Sequence, residues 1–260
     1  MGAEDAVGTE PVDRYAESAT ARKVAGLPPP SLPRLQTVEP GATRRPPQLS
    51  EHAPLAPSQG AADSRAAAAA ANSLDELREA LTAFEGCALK HTATNLVFGD
   101  GNPAAGLMIL GEAPGAEEDR CGLPFVGASG QLMDRMLAAI ELDRNSAYIS
   151  NILFWRPPGN RNPTAAEVAV CMPFVQRHIA LVRPKVLVFV SGTSAKSMLD
   201  RPEGIMRLRA KWYNYQGTGL DNPIPALAMF HPAYLLRSPA QKRAAWHDLL
   251  MLKARLVELA

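Results

Sequence analysis

Four short apolar runs, at 107–110, 147–152, 186–190 and 226–230, constrain this chain more than any other feature. Each is strand-length and too short for a helix. Stretches with helical spacing lie between and after them, at 128–141, 164–182, 192–200 and 237–258. Strands that alternate with helices pair in parallel, and helices then cover both faces of the sheet. The pattern predicts an α/β fold. In such sheets a ligand sits outside the carboxyl ends of the strands. In this chain the unusual sequences follow strands.

The first 72 residues have a different composition. They hold 10 of the 23 prolines and the alanine run 66–71, with few large apolar side chains and no period. Such a segment buries too little surface to offset its ordering entropy, so residues 1–72 read as a disordered tail or tether. Regular structure is expected from Ser73, where Ser73 and Glu76 form a capping box. Leu74, Leu77, Leu81 and Phe84 follow at helical spacing, with a stop near Gly86. Residues 73–260 are expected to form the folded domain.

The net charge of +1 excludes a polybasic binder, so any contact with nucleic acid must come from a local patch. Three cysteines exclude a disulfide scaffold and suggest a reducing compartment. No uninterrupted apolar run approaches the roughly 18 residues of a membrane span. Glu4, Asp5, Glu10 and Asp13 do not suit a secretory leader. The expectation is a soluble cytoplasmic protein with no membrane contact.

Three loops carry chemistry. The first runs from Gly111 to Asp119 and on through Gly122-Leu123-Pro124-Phe125-Val126-Gly127. Glu112, Glu117, Glu118 and Asp119 crowd together in it. Mutual repulsion suits them to proton or water chemistry, and a solvated acidic turn is the plain alternative. The second follows Asn151 and contains Arg156-Pro157-Pro158-Gly159-Asn160-Arg161. A carboxamide at a strand end can read a base edge or brace the loop, and the two arginines suit phosphates or solvent. The third is His231-Pro232-Ala233-Tyr234-Leu235-Leu236-Arg237. Leucines beside an arginine suit an apolar wedge that unstacks DNA, with cations, including Lys242 and Arg243, on the phosphates.

Taken together, the three loops resemble the uracil-DNA glycosylases of family 4, over residues 87–252. The resemblance implies a three-layer α/β/α sandwich around a four-stranded parallel sheet, and hydrolysis of the N-glycosidic bond of a uracil flipped out of DNA. It implies that Phe125 stacks on the uracil, that Asn151 reads O4 and N3–H, and that His231 hydrogen-bonds O2. Glu112 would handle the attacking water, beside Ala113, which stands where the first family carries a catalytic aspartate. Glu118 would crowd the C5 edge and exclude thymine. Arg156, Arg161, Tyr234 and Arg237 would contact DNA, and Leu235 or Leu236 would fill the gap in the duplex.

Relatives of this kind hold a [4Fe–4S] cluster on four cysteines. Cys87 and Cys171 occupy two of those positions, and Phe84 and Trp155 occupy the other two. Two thiolates do not hold a cubane, so no cluster and no metal is expected. The expected partner is uracil-containing DNA, single- or double-stranded, bound by a monomer in a bacterial cytoplasm. The rival readings are a non-catalytic binder of uracil-containing or deaminated DNA on the same fold, and an unrelated nucleotide-binding α/β domain.

Overall fold

The computed structural model describes residues 59–259. Helices α1 (Gln59–Ala70) and α2 (Leu74–Ala83) lead into strands β1 (Asp100–Gly101) and β2 (Leu107–Gly111). Helices α3 (Ala116–Cys121) and α4 (Ala128–Ala138) precede β3 (Tyr148–Asn151), and α5 (Ala165–Val182) precedes β4 (Val186–Val190). Then come α6 (Gly192–Leu199), α7 (Ile205–Leu208), β5 (Trp212–Tyr215), β6 (Ile224–Met229), α8 (Pro232–Arg237) and α9 (Lys242–Glu258).

The strands form one sheet in the order β1-β3-β2-β4-β6-β5. Its four central strands are parallel, as the apolar runs predict. Two antiparallel edge strands, β1 on β3 and β5 on β6, extend the expected four-stranded sheet to six. Neither edge carries a long apolar run. β1 has two residues, and β5 is only partly buried.

The central strands are buried on both faces, which is why they read as continuous apolar runs. Met108, Leu110, Leu187 and Phe189 point to one face and pack with α2, α5 and α6. Leu107, Ile109, Val186 and Val188 point to the other and pack with α4, α8 and α9. The result is the expected three-layer sandwich. Helix α5 has 18 residues and a mean hydropathy of 1.3, enough by length and composition to cross a membrane. Here its apolar side chains Phe174, Val175 and Ile179 are core residues.

One boundary differs from the sequence reading. Residues 59–70, assigned there to the tail, form α1 and pack on α5. Ala61, Ser64, Ala68 and Ala71 line the buried side at three- and four-residue spacing. Arg177 of α5 donates to the Ala71 carbonyl just beyond the helix. Small side chains let two helices approach closely, a form of burial that a search for large apolar residues misses. The rest of the expected tail, 1–58, lies outside the described residues. The Ser73 cap is present: its hydroxyl accepts from the Glu76 amide, while the Glu76 carboxylate reaches back to the Asn72 amide.

The sheet order reverses between β2 and β4. β3 lies on one side of β2 and β4 on the other, so the loops leaving their carboxyl ends diverge and open a crevice there.

Candidate active site

A cavity of about 790 Å³ occupies that crevice. It is lined from the β2 loop by Glu112, Ala113, Glu118 and Phe125, and from β3 onward by Asn151, Asn160 and Arg161. Ser191 and Gly192 follow β4, and His231, Tyr234 and Arg237 follow β6. All three sequence-singled loops therefore meet in one place.

Asn151 is the last residue of β3 and pairs with Gly111 at the end of β2. It is 2% exposed, and among the described residues its carboxamide has no hydrogen-bond partner. A Cβ on Gly111 would lie 2.2 Å from Asn151 Oδ1 and 2.7 Å from the Phe125 ring. Glycine is needed at 111 because both side chains close over it.

Phe125 has a left-handed backbone, φ +55°. This conformation costs a non-glycine residue about 1–2 kcal/mol, so neighbours must hold it. Arg144 does so: its guanidinium donates to the carbonyls of Pro124 and Phe125 and pairs with Asp100 and Asp134. A Cβ on Gly130 would meet the Phe125 carbonyl oxygen at 1.6 Å, so the turn also depends on that glycine. The sequence reading missed Arg144, which lies 19 residues beyond Phe125 and carries no local signal.

The crowded carboxylates are dispersed by their partners. Glu118 accepts from the amides of Val126 and Gly127 with one oxygen and of Gly115 with the other. It ties the two halves of the first loop together. Asp119 is buried and accepts from the amides of Thr94 and Asn95. Glu117 pairs with Arg120. Of the four, Glu112 alone has no such partner among the described residues, and it faces the cavity.

His231 caps α8, with Nδ1 accepting from the Ala233 amide at 3.1 Å. That bond assigns the proton of a neutral ring to Nε2. Burial pushes its pKa down to about 4, the Arg237 cation adding to the effect and Glu118 opposing it. The ring is therefore neutral near pH 7, with a donor on Nε2. It lies 5.5 Å from the Phe125 ring, centroid to centroid, at 26°.

One expected DNA contact is corrected, and a second has a partner within the chain. The HPAYLLR segment is a short helix rather than a loop, because His231 caps it and Pro232 starts it. Its faces separate the two leucines: Leu235 is 1% exposed and belongs to the core, while Leu236 is 43% exposed. Leu235 is thus removed from the wedge position. The Arg161 guanidinium is committed to both oxygens of Glu167 at 2.9 and 2.6 Å. That pairing holds the Glu167 carboxyl down at about 2. Arg156 is engaged at Nε by Asn160, and Arg237 has no partner among the described residues.

Phe84, Cys87, Trp155 and Cys171 all lie in the hydrophobic cluster between the sheet and α5. The neighbouring Cys87 thiol, through a hydrogen bond, and then burial push the Cys171 thiol well up. Among the described residues no three His, Cys, Asp or Glu side chains come together as a metal site would require.

Residues 98–250 match the family described as the uracil DNA glycosylase superfamily. A type-4 uracil-DNA glycosylase of Pyrobaculum aerophilum is 35% identical over 182 residues, covering 68% of this chain and 92% of that protein. A type-4 uracil-DNA glycosylase of Archaeoglobus fulgidus is 38% identical over 171 residues, 64% of this chain and 85% of the relative. One of Thermotoga maritima is 37% identical over 153 residues, 58% and 77% of the two chains.

Proposed function

The chain belongs to the uracil DNA glycosylase superfamily, and on that premise we propose that it is a uracil-DNA glycosylase of base-excision repair. Its substrate is uracil in DNA and its products are free uracil and an abasic site. The observation that carries this reading is the convergence of Phe125, an unpartnered Asn151 carboxamide and a neutral His231 with a free Nε2–H in one cavity.

A base inside the stack is out of reach, so the uridine is extruded at a cost of a few kcal/mol. Phe125 offers a ring face to the extruded uracil. The Asn151 carboxamide offers an acceptor to N3–H and a donor to O4, a pair that cytosine does not match. When the C1′–N1 bond breaks, its electron pair leaves with the base. Positive charge develops on the sugar and negative charge on O2. The His231 Nε2–H meets the charge at O2, and the Glu112 carboxylate meets the charge at the sugar and orients the water. The water hydroxyl adds to C1′, and its proton neutralises the uracil anion. Glu118 fixes the loop that presents Phe125 and, with Ala113, shapes the wall toward the C5 edge, where a thymine methyl would need room.

On this reading Arg237, Arg156 and Tyr234 contact the DNA, and Glu167 holds Arg161 to its loop. Leu236 is the wedge. One chain supplies every named group, which supports a monomer, and the cavity needs only one extruded nucleotide, so single- and double-stranded DNA both qualify. A repair glycosylase works where the chromosome lies, in a bacterial cell the cytoplasm. The family's iron–sulfur cluster does not fit this core. Two thiols are present where four are needed, and aromatic rings occupy the other two positions. No step above passes through it. The test is a single-turnover assay on a uracil-containing oligonucleotide with alkali cleavage of the product. Strand scission at uracil alone is expected, and an intact strand bound by the protein would leave a non-catalytic binder.

A further inference from the structure

Six large apolar side chains are conspicuously exposed among the described residues: Leu123, Met206, Leu236, Trp246, Leu250 and Val257. Of these only Met206 lines the cavity, and it is 62% exposed. Single exposed apolar residues are ordinary, so its placement and rigidity are what matter. Met206 sits on the single turn α7, whose Leu208 is buried while Met206 points outward. The turn is anchored. The Tyr213 hydroxyl donates to the Leu208 carbonyl at 3.0 Å. Arg209, the next residue, donates from Nε and a terminal nitrogen to both oxygens of the buried Asp248, at 3.0 and 2.8 Å. The same guanidinium lies 4.9 Å from the centroid of the Phe230 ring, directly before His231. One arginine thus ties the turn that presents Met206 to the strand end that presents His231.

We propose that Met206 is a DNA-positioning residue whose side chain packs on the sugar and base next to the extruded uridine, on the same strand. This rests on the glycosylase reading above. The strand carrying an extruded nucleotide must enter and leave the cavity mouth, so the neighbouring nucleotide lies on its rim. That nucleotide has an apolar sugar and base face and an anionic phosphate. The lining matches it, with the Met206 thioether on α7 and the Arg237 cation on α8. An unbranched thioether adapts its shape to any base, which suits contact without sequence preference.

The test compares wild type, Met206→Ala, Met206→Gln and Met206→Leu in single-turnover excision on single-stranded and duplex oligonucleotides, with Leu236→Ala as a reference. Loss of one buried apolar contact is expected to raise the half-saturating DNA concentration about five- to tenfold for Met206→Ala and Met206→Gln. The rise appears equally on both substrates, while the saturating rate and melting temperature stay at the wild-type values. Met206→Leu restores binding, and the Leu236→Ala defect is confined to duplex. Unchanged half-saturation overturns the proposal, as does a lowered melting temperature or saturating rate, or a Met206 effect seen only on duplex. A wild-type protein that leaves uracil in place overturns the glycosylase reading itself, a result distinct from all of these.

Discussion

Asn151 reaches the cavity from a strand end with its carboxamide unpartnered, so its chemistry can be changed with little change of shape. Asn151→Asp keeps the volume, removes the donor proposed for O4 and sets a carboxylate against that oxygen. The fold is expected to hold while excision falls about five- to 150-fold, from a lost contact of ~1–3 kcal/mol. Circular dichroism and single-turnover rates check this, and an unchanged rate removes Asn151 from the site. In the proposed mechanism His231 acts only as charge develops on the leaving base. His231→Ala is expected to slow the single-turnover rate by about 10²–10³ and to change DNA affinity far less. A joint loss of affinity, rate and melting temperature would mark His231 as a brace for α8 instead. Both residues were legible in the sequence, because each is a polar group at the carboxyl end of an apolar run. What holds them was not. Arg144 grips the Phe125 turn through space, and no local spacing encodes that.

At the scale of elements, α1 and α8 show where patterning misleads. An alanine-rich helix after a proline-rich stretch looks like tail, yet its alanines form a seam against α5. Ala68→Leu forces extra volume into that seam and is expected to destabilise the fold by ~1–3 kcal/mol, read as a melting temperature lower by several degrees. Ala69→Leu, one position round the helix and exposed, leaves it unchanged. In α8 the two adjacent leucines are equivalent in composition and differ only in which way the helix turns them. The core around α5 carries its own prediction. With Phe84 and Trp155 beside Cys87 and Cys171, purified protein is expected to be colourless, free of stoichiometric iron and active. A brown protein with bound iron would show that other ligands complete the set.

Across the whole molecule, two buried histidines link stability to pH. His178 is held at about 3 and His231 at about 4, each chiefly by burial. Both values lie below the ordinary 6.5. As pH falls below 6.5 the unfolded chain takes up protons that the folded chain refuses. Stability is therefore present above pH 6.5 and declines between there and about pH 3–4, by up to about 1.4 kcal/mol per pH unit for each ring. Melting temperatures from pH 7 to pH 4 are expected to fall accordingly. His178→Gln removes one titrating ring and flattens the fall; an equal slope in both proteins would assign the acid sensitivity elsewhere.

The order of residues alone specifies the central sheet, the layers that cover it and the end of the sheet where chemistry collects. Strand burial and helix periodicity are written in consecutive residues, and the loops that follow Gly111, Asn151 and Phe230 are marked by glycine, proline and polar groups that no strand or helix interior needs. The edge strands β1 and β5, the seam of α1, the opposite burial of Leu235 and Leu236, and the partners that disperse the acidic loop emerge only in the folded chain. Those outcomes depend on which groups meet across tens of residues: Glu118 with the Val126 and Gly127 amides, Arg161 with Glu167, Arg209 with Asp248. A hydrogen bond is satisfied by whichever partner the packed fold brings within about 3 Å, and that distance is a property of the assembled layers, not of the residues read in order.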